Sequence, residues 1–161
     1  MIRNCLLQDA QAICRIYNHY IENTVITFEE EAVAPSDIAE RIRIIQAKGH
    51  PYLVYEEDFK VIGYAYAGEF KSRCAYRFTL ETSLYLSHVH LSKGVGTKLY
   101  AELIERCRMM KIHSLIGVIA VPNESSIAIH EKFGFKKAGF LSEVGYKFNK
   151  WIDVEYWQLM L

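Results

Sequence analysis

The sequence predicts an α/β fold, and three observations carry that prediction. From Phe78 to Val89 the side chains alternate, with Leu80, Thr82, Leu84 and Leu86 set against Glu81, Ser83 and Tyr85, which is the period of a half-buried strand. From Thr97 the period becomes helical, placing Leu99, Leu103 and Cys107 on one stripe with Tyr100 and Ile104 beside it. Residues 114–121, SLIGVIAV, then form an apolar run of strand length. The chain has 161 residues, 51% of them hydrophobic, so one domain spanning 1–161 with its own core is expected.

The remaining elements follow in order. Ile2 to Leu6 reads as a short strand, and Asp9 as the cap of a helix carrying Ala10, Ile13, Ile16, Tyr17 and Tyr20 at helical spacing. Asn23 to Glu31 is a polar and β-branched link with no assigned role. Ser36, after Pro35, reads as the cap of a second helix, in which Ile38, Ile42 and Ile45 share a face until Gly49. Tyr52 to Tyr55 and Val61 to Ala67 flank the turn EEDFK as an antiparallel hairpin, although the turn lacks glycine. The helix from Thr97 ends near Met110. After SLIGVIAV, Pro122-Asn123 breaks the strand before a short helix from about Ser125 to Phe133, closed by Gly134. Phe135 to Val144 and Trp151 to Leu161 form a final strand pair, whose aromatics Trp151, Tyr156 and Trp157 read as core or subunit contacts.

Composition excludes several functions. Nineteen basic and nineteen acidic residues cancel, and no run of five or six like charges occurs, so nucleic acid is not an expected partner. No stretch approaches the roughly eighteen apolar residues of a membrane span, and the N-terminus lacks a signal-peptide core, so no membrane partner and a cytoplasmic location are expected. Cys5, Cys14, Cys74 and Cys107 are scattered and form no CxxC pair, as reduced thiols would. His88 and His90, two apart on an expected strand, would share a face, but no third ligand accompanies them and no metal is expected.

The stretch HLSKGVGTKLY, residues 90 to 100, holds two glycines one residue apart at the mouth of a helix. Unpaired N–H groups and the helix dipole there suit an anion such as a pyrophosphate, and Gly94 and Gly96 would allow it to approach the backbone. A plain tight turn uses glycine in the same way. A Walker loop is excluded because Lys93 precedes the glycines, and a dinucleotide fingerprint because a third glycine is missing near Leu99.

Later in the chain come Asn123 at a strand end, Ser126, His130 and the run EKFGF. The order strand, SKGVG, helix, strand, Asn, short helix, GF resembles the GNAT superfamily of acetyl-CoA-dependent N-acetyltransferases. Within it, TLETSLYLSHVH, VPNESSIAIHEKFGF and VGYKFNKWIDVEYWQL are similar to the phosphinothricin and methionine sulfoximine acetyltransferases through nearly the whole chain. The resemblance implies a mixed, curved sheet with helices on both faces, split near the strand of Glu81 so that cofactor and acceptor enter from opposite sides. It implies transfer of an acetyl group from acetyl-CoA to the amino group of a small amino-acid-like substrate, and a homodimer.

For the cofactor, the resemblance implies contacts from Leu84, Tyr85 and Leu86 to the pantetheine arm, from Ser92, Lys93, Gly94, Val95, Gly96 and Thr97 to the pyrophosphate, and from Asn123 and Ser126. It implies Glu81 as general base and His130 as its proton-handling partner, a role for which an imidazole has a suitable ordinary pKa. Lys71, Ser72, Arg73, Tyr76 and Arg77, with Thr82 and Ser83, are implied as substrate contacts, and three cations suit an acceptor that carries a carboxylate. No cysteine stands at a nucleophile position, Cys74 having no matched role, so direct transfer in a ternary complex is expected.

Two departures stand out. Leu91 occupies the place where the family carries Gln or Arg at the head of the loop, which is expected to weaken cofactor affinity without abolishing it. Glu69 differs from some relatives beside the substrate patch. Other acceptors remain open, a polyamine or a protein N-terminus, as does a non-catalytic acetyl-CoA sensor.

Overall fold

A computed structural model describes residues 1–90 and 94–161. One seven-stranded sheet organises them. The strands are β1 (Ile2–Asn4), β2 (Tyr52–Glu57), β3 (Lys60–Glu69), β4 (Thr79–Leu86), β5 (Ser114–Val121), β6 (Lys136–Lys147) and β7 (Lys150–Met160). Their order is β1-β2-β3-β4-β5-β7-β6, antiparallel throughout except for the parallel β4–β5 pair. The expected mixed sheet is present.

The period of two sorts β2 and β3 between two cores. Tyr52, Val54 and Tyr64 face one layer with α1 (Ala10–Asn23) and α2 (Pro35–Ala47), while Leu53, Ala65 and Ala67 face the other with α3 (Val95–Met109). The helix α4 (Glu124–Lys132) adds Ile127 and Ile129 to the α3 side. Helices thus cover both faces, because neither row of apolar side chains is left to water. No helix among the described residues is long and apolar enough to cross a membrane.

Local chemistry departs from the sequence expectations at several ends. Asp9 precedes α1 without making a side-chain cap bond; its carboxylate accepts from Leu6 N–H (2.8 Å) and from Arg3 Nη1 and Nη2 (2.7 and 2.9 Å). Ser36 does not cap α2. Ala34 holds that position, Pro35 is the first helical residue, and the Asp37 carboxylate accepts from Ala34 N–H at 2.8 Å, using proline where a helix can spare an N–H. The turn of the β2–β3 hairpin is closed without glycine because Asp58 and Phe59 both take positive φ, 48° and 59°, matching the twist of the strands. The strand expected over Phe78–Val89 stops at Leu86. His88 and His90 lie in a 3-10 turn, so they do not share a strand face, and the His88 ring stacks on His19 at 3.9 Å.

Arg3 ties three elements together, since it also donates from Nε (2.8 Å) and Nη2 (2.6 Å) to Glu56 on β2. Burial pushes the Asp9 carboxyl up, but the hydrogen bonds from Arg3 and Leu6 outweigh it and leave it below its ordinary value. Arg3→Met therefore lowers stability at pH 7 by about 2–3 kcal/mol, less than for fully buried pairs because the guanidinium is partly exposed. A depressed carboxyl stabilises above its unfolded pKa of about 3.9 and loses that contribution as pH falls through the folded value. Urea unfolding of both proteins is expected to show the gap narrowing below about pH 4.

Candidate active site

The sheet comes apart at its parallel pair. β4 and β5 are in register only from Thr79↔Ser114 to Thr82↔Gly117, although β4 stays on β3 as far as Leu86↔Gly63 and β5 stays on β7 as far as Val121↔Asp153. The cleft of about 430 Å³ in the resulting wedge is lined by Ser83 to Leu86 on one side and Val118 to Ala120 on the other. Ser87 N–H bonds to Ile62 O on β3 at 2.8 Å. By the alternation of backbone groups along a strand, Leu84 and Leu86 then present theirs toward the missing β5. Tyr20 donates to one of these, Leu86 O, at 2.7 Å.

The N-terminus of α3 meets the same cleft. Gly94, with φ +70°, is the cap residue and receives no side-chain cap bond, and Lys98 N–H makes the first helical bond back to Gly94 O at 3.1 Å. The N–H groups of the first helical turn have no partner within the helix. Gly96 lines the cleft, and a Cβ there would stand 3.2 Å from Leu86 Cδ1 and 3.6 Å from Leu84 Cδ2. The pair of glycines therefore has two separate causes, a left-handed cap at Gly94 and a close approach at Gly96. Val95 is buried and Thr97 is the third residue of the helix. Leu91, Ser92 and Lys93 lie outside the described residues. An anion and an extended polar arm fit this combination of first-turn helix amides, glycine backbone and open strand edges.

At the apex of the wedge stands His130, buried on α4. Its Nδ1 is 2.7 Å from Ser126 O and its Nε2 3.1 Å from the hydroxyl of Tyr100. The Tyr100 hydroxyl is 2.8 Å from Thr82 Oγ1, which is also 3.3 Å from Ile116 O. Gly117 makes room for the ring, since a Cβ there would lie 2.3 Å from His130 Nε2. Burial pulls the imidazole below its ordinary value, opposed by the Ser126 carbonyl. Asn123 caps α4 by accepting from Ser126 N–H at 3.2 Å. Thr82, Tyr100, Asn123, Ser126 and His130 all line the cleft.

Glu81 lies on the other face of β4. Its neighbours in the alternation, Ser83 and Tyr85, belong to the α1 side, where the Tyr85 ring packs 5.2 Å from both Tyr17 and Tyr20. Glu81 and His130 are therefore not in direct contact but stand on opposite sides of the strand. Burial pushes the Glu81 carboxyl above its ordinary value, and the Lys71 ammonium opposes this. Of the expected substrate contacts, Lys71, Ser72, Arg73, Tyr76 and Arg77 are all exposed. Arg77 lies over the Phe78 ring at 4.6 Å and donates to Cys74 O, and Tyr76 meets Phe70 edge-on. Of these five, Lys71 is the one whose charge acts on Glu81 among the described residues.

Three contributors were not singled out in the sequence. Tyr100 sits on the apolar stripe of α3 and reads there as core. Gly117 lies inside SLIGVIAV, where only its interruption of an otherwise apolar strand marks it. The unassigned link between α1 and α2 brings Ile26 to the cleft. It is pinned by Lys147 Nζ on Thr27 O (2.8 Å) and by Tyr17, whose hydroxyl meets Thr27 Oγ1 and Glu29 Oε1, each at 2.8 Å. No group of three or more His, Cys, Asp or Glu able to hold a metal occurs among the described residues.

Comparison with known proteins bears on this geometry. The family pattern described as acetyltransferase (GNAT) domain matches residues 2–156. A phosphinothricin N-acetyltransferase of Streptomyces viridochromogenes is 38% identical over 98% of this chain and 85% of its own length. An L-methionine sulfoximine/L-methionine sulfone acetyltransferase of Salmonella typhimurium is 35% identical over 95% and 90%. Among solved structures, a GNAT superfamily phosphinothricin acetyltransferase from Sinorhizobium meliloti in complex with AcCoA superposes with a TM-score of 0.97 at 38% identity, covering all of this chain and 88% of that one. With the family pattern and these relatives spanning nearly its full length, the chain that carries this wedge and glycine-capped helix belongs to the GNAT acetyltransferase family.

Proposed function

We propose that this protein transfers an acetyl group from acetyl-CoA to the amino group of a small amino acid of the phosphinothricin or methionine sulfoximine type, directly and within a ternary complex. The observation that carries the reading is the wedge between β4 and β5, where a helix N-terminus and strand amides with no partner among the described residues face one cleft. Acetyl-CoA supplies the activated acyl group as a thioester. The amides at Gly94 to Thr97 suit its pyrophosphate, with Ser92 and Lys93 assigned beside them, and the cleft walls at Leu84, Tyr85 and Leu86, with Asn123 and Ser126, suit the pantetheine arm. The Leu84 or Leu86 N–H facing the cleft polarises the thioester oxygen.

Glu81 acts as general base toward the acceptor ammonium. Half-burial supports this role, because a raised carboxyl pKa keeps it closer to that of the proton it must take. Lys71, Ser72, Arg73, Tyr76 and Arg77, with Ser83, form the acceptor side, and cations there favour an acceptor carboxylate over a polyamine; Thr82, expected among them from the sequence, lies instead on the cleft face of β4 against Tyr100. Direct transfer is supported by the cysteines. Cys5, Cys14 and Cys107 are buried, Cys74 is exposed on the substrate patch, and none lines the cleft. Four free thiols also accord with a reducing, cytoplasmic setting. A second copy of the chain is the partner that the β6–β7 hairpin suits, since Phe140, Val144, Tyr146, Phe148 and Trp151 are all exposed there.

Thiol release from acetyl-CoA is expected with phosphinothricin or methionine sulfoximine and not with spermidine or a peptide N-terminus. Tight acetyl-CoA binding with no release on any amine would instead favour a sensor. Glu81→Gln is expected to leave acetyl-CoA binding intact and lower kcat by about 10²–10⁴-fold. In the unsubstituted protein the acid limb of kcat/KM, set by ionisation of Glu81, lies above the ordinary value of about 4.3, and it is absent from the variant. Light scattering is expected to give the mass of two chains, and Trp151→Glu that of one.

A further inference from the structure

The hydrogen bonds around His130 have a direction that follows from which atoms can donate. Ser126 O, a carbonyl, only accepts, so the 2.7 Å contact puts a proton on His130 Nδ1. The ring is buried, and Tyr100 is the one titratable side chain recorded against it among the described residues. From the other elements it meets Thr82 on β4 through Tyr100, Gly117 on β5, and the ring of Phe135 at 4.8 Å. With no anion to pair with, the imidazole rests neutral, and its Nε2 is bare. The Tyr100 hydroxyl at 3.1 Å must then donate to Nε2. Having given its only proton, Tyr100 accepts from Thr82 Oγ1 at 2.8 Å, the Thr82 proton taking this nearer acceptor over Ile116 O at 3.3 Å. The chain runs Thr82 to Tyr100 to His130, and every link lines the cleft.

We propose that Thr82, Tyr100 and His130 form a reversible proton wire in which His130 stores the proton and Tyr100 transmits it, so that His130 never touches the reacting atoms. This rests on the acetyl-transfer reading. Resting His130 cannot serve as the acid, since its one N–H is held by Ser126 O and its other nitrogen is an acceptor. It can take up a proton with no movement of heavy atoms. When the acceptor ammonium has lost one proton to Glu81, its nitrogen bonds to the acetyl carbon and sheds a second proton to Thr82 Oγ1. Thr82 passes its own proton to Tyr100 and Tyr100 passes its own to Nε2. The carbon–sulfur bond breaks, and the stored proton returns along the same path to the leaving sulfur. The sum is an amide, a free thiol and one proton released from Glu81 to water.

The wire makes Tyr100 and His130 one device in series. Tyr100→Phe keeps the ring and leaves Thr82 able to donate to Ile116 O, 3.3 Å away. It is expected to lower kcat about 10²-fold, the lower end of what positioned proton transfer contributes, with acetyl-CoA Kd within about two-fold of the unsubstituted protein. The double variant Tyr100→Phe/His130→Gln is expected to be no slower than the slower single variant, as for groups acting as a unit. Thr82→Val is the second route should Tyr100→Phe fold poorly, with the same expected loss. An independent readout is the ring nitrogens of His130 by NMR. They are expected to show the Nδ1–H form in the unsubstituted protein and, because the donor that favours the neutral ring is gone, a titration midpoint displaced upward in Tyr100→Phe. Wild-type kcat in both Tyr100→Phe and Thr82→Val, losses that multiply in the double variant, or an Nε2–H ring would overturn the wire. Absence of thiol release from the unsubstituted protein with every amine would overturn the acetyl-transfer reading instead, leaving the ring spectra to decide the direction of the hydrogen bonds.

Discussion

The separation of β4 from β5 is the constraint on which the rest depends. Two parallel strands that part after Thr82 and Gly117 leave backbone donors and acceptors facing each other across open space, and buried groups of that kind need partners. The strands cannot close the gap, because each is fastened on its far edge, β4 to β3 and β5 to β7. Tyr20 satisfies Leu86 O from α1. What remains unpaired among the described residues is a ladder edge with the capacity of a strand and no strand in it, which an extended polar ligand arm can fill.

The same strand explains why proton chemistry is divided between two faces. The period of two in β4 sends Thr82 to the α3–α4 side and Glu81 to the α1 side, one residue apart at the point where the wedge opens. An acceptor arriving from the Glu81 side and a thioester lying in the cleft then meet across a single strand, and neither needs to pass the other. Gly117 is the counterpart on β5. Without a side chain there, the His130 ring can approach the strand at the apex, since a Cβ on Gly117 would lie 2.3 Å from its Nε2.

The sequence made the central part of this legible because its physical signals are local. The alternation of Leu80 to Leu86 fixes which side chains share a face, and a change of period at a glycine pair marks a strand-to-helix junction. What it hid depends on distant or ambiguous partners. Tyr100 occupies a helical stripe position indistinguishable from core until His130 and Thr82 are seen against its hydroxyl. Asp9 has the composition of a cap but a better partner in Arg3, so the cap bond is not made. The strand expected through Val89 ends early because the chain passes into a 3-10 turn at His88–His90, just after Ser87 makes its bond to Ile62 O of β3. The link between α1 and α2 carries no periodicity at all, since its order is imposed by Lys147, 120 residues away.

That last contact joins the two ends of the molecule's logic. Lys147 is 2% exposed, and burying an ammonium is unfavourable unless its donors are used. Burial pulls its pKa down, while Glu30 and Glu29 oppose the fall and help keep it charged. Its bond to Thr27 O holds the link that carries Ile26 into the cleft wall, and Phe28 of the same link fills the space over Gly145, where a Cβ would come within 2.4 Å. The β6–β7 hairpin therefore supports that wall from one face while presenting exposed Tyr146, Phe148 and Trp151 from the other. A second chain covering those aromatics would brace the strand pair that holds the link, so burial of an apolar surface and the shape of the cleft wall are properties of one element.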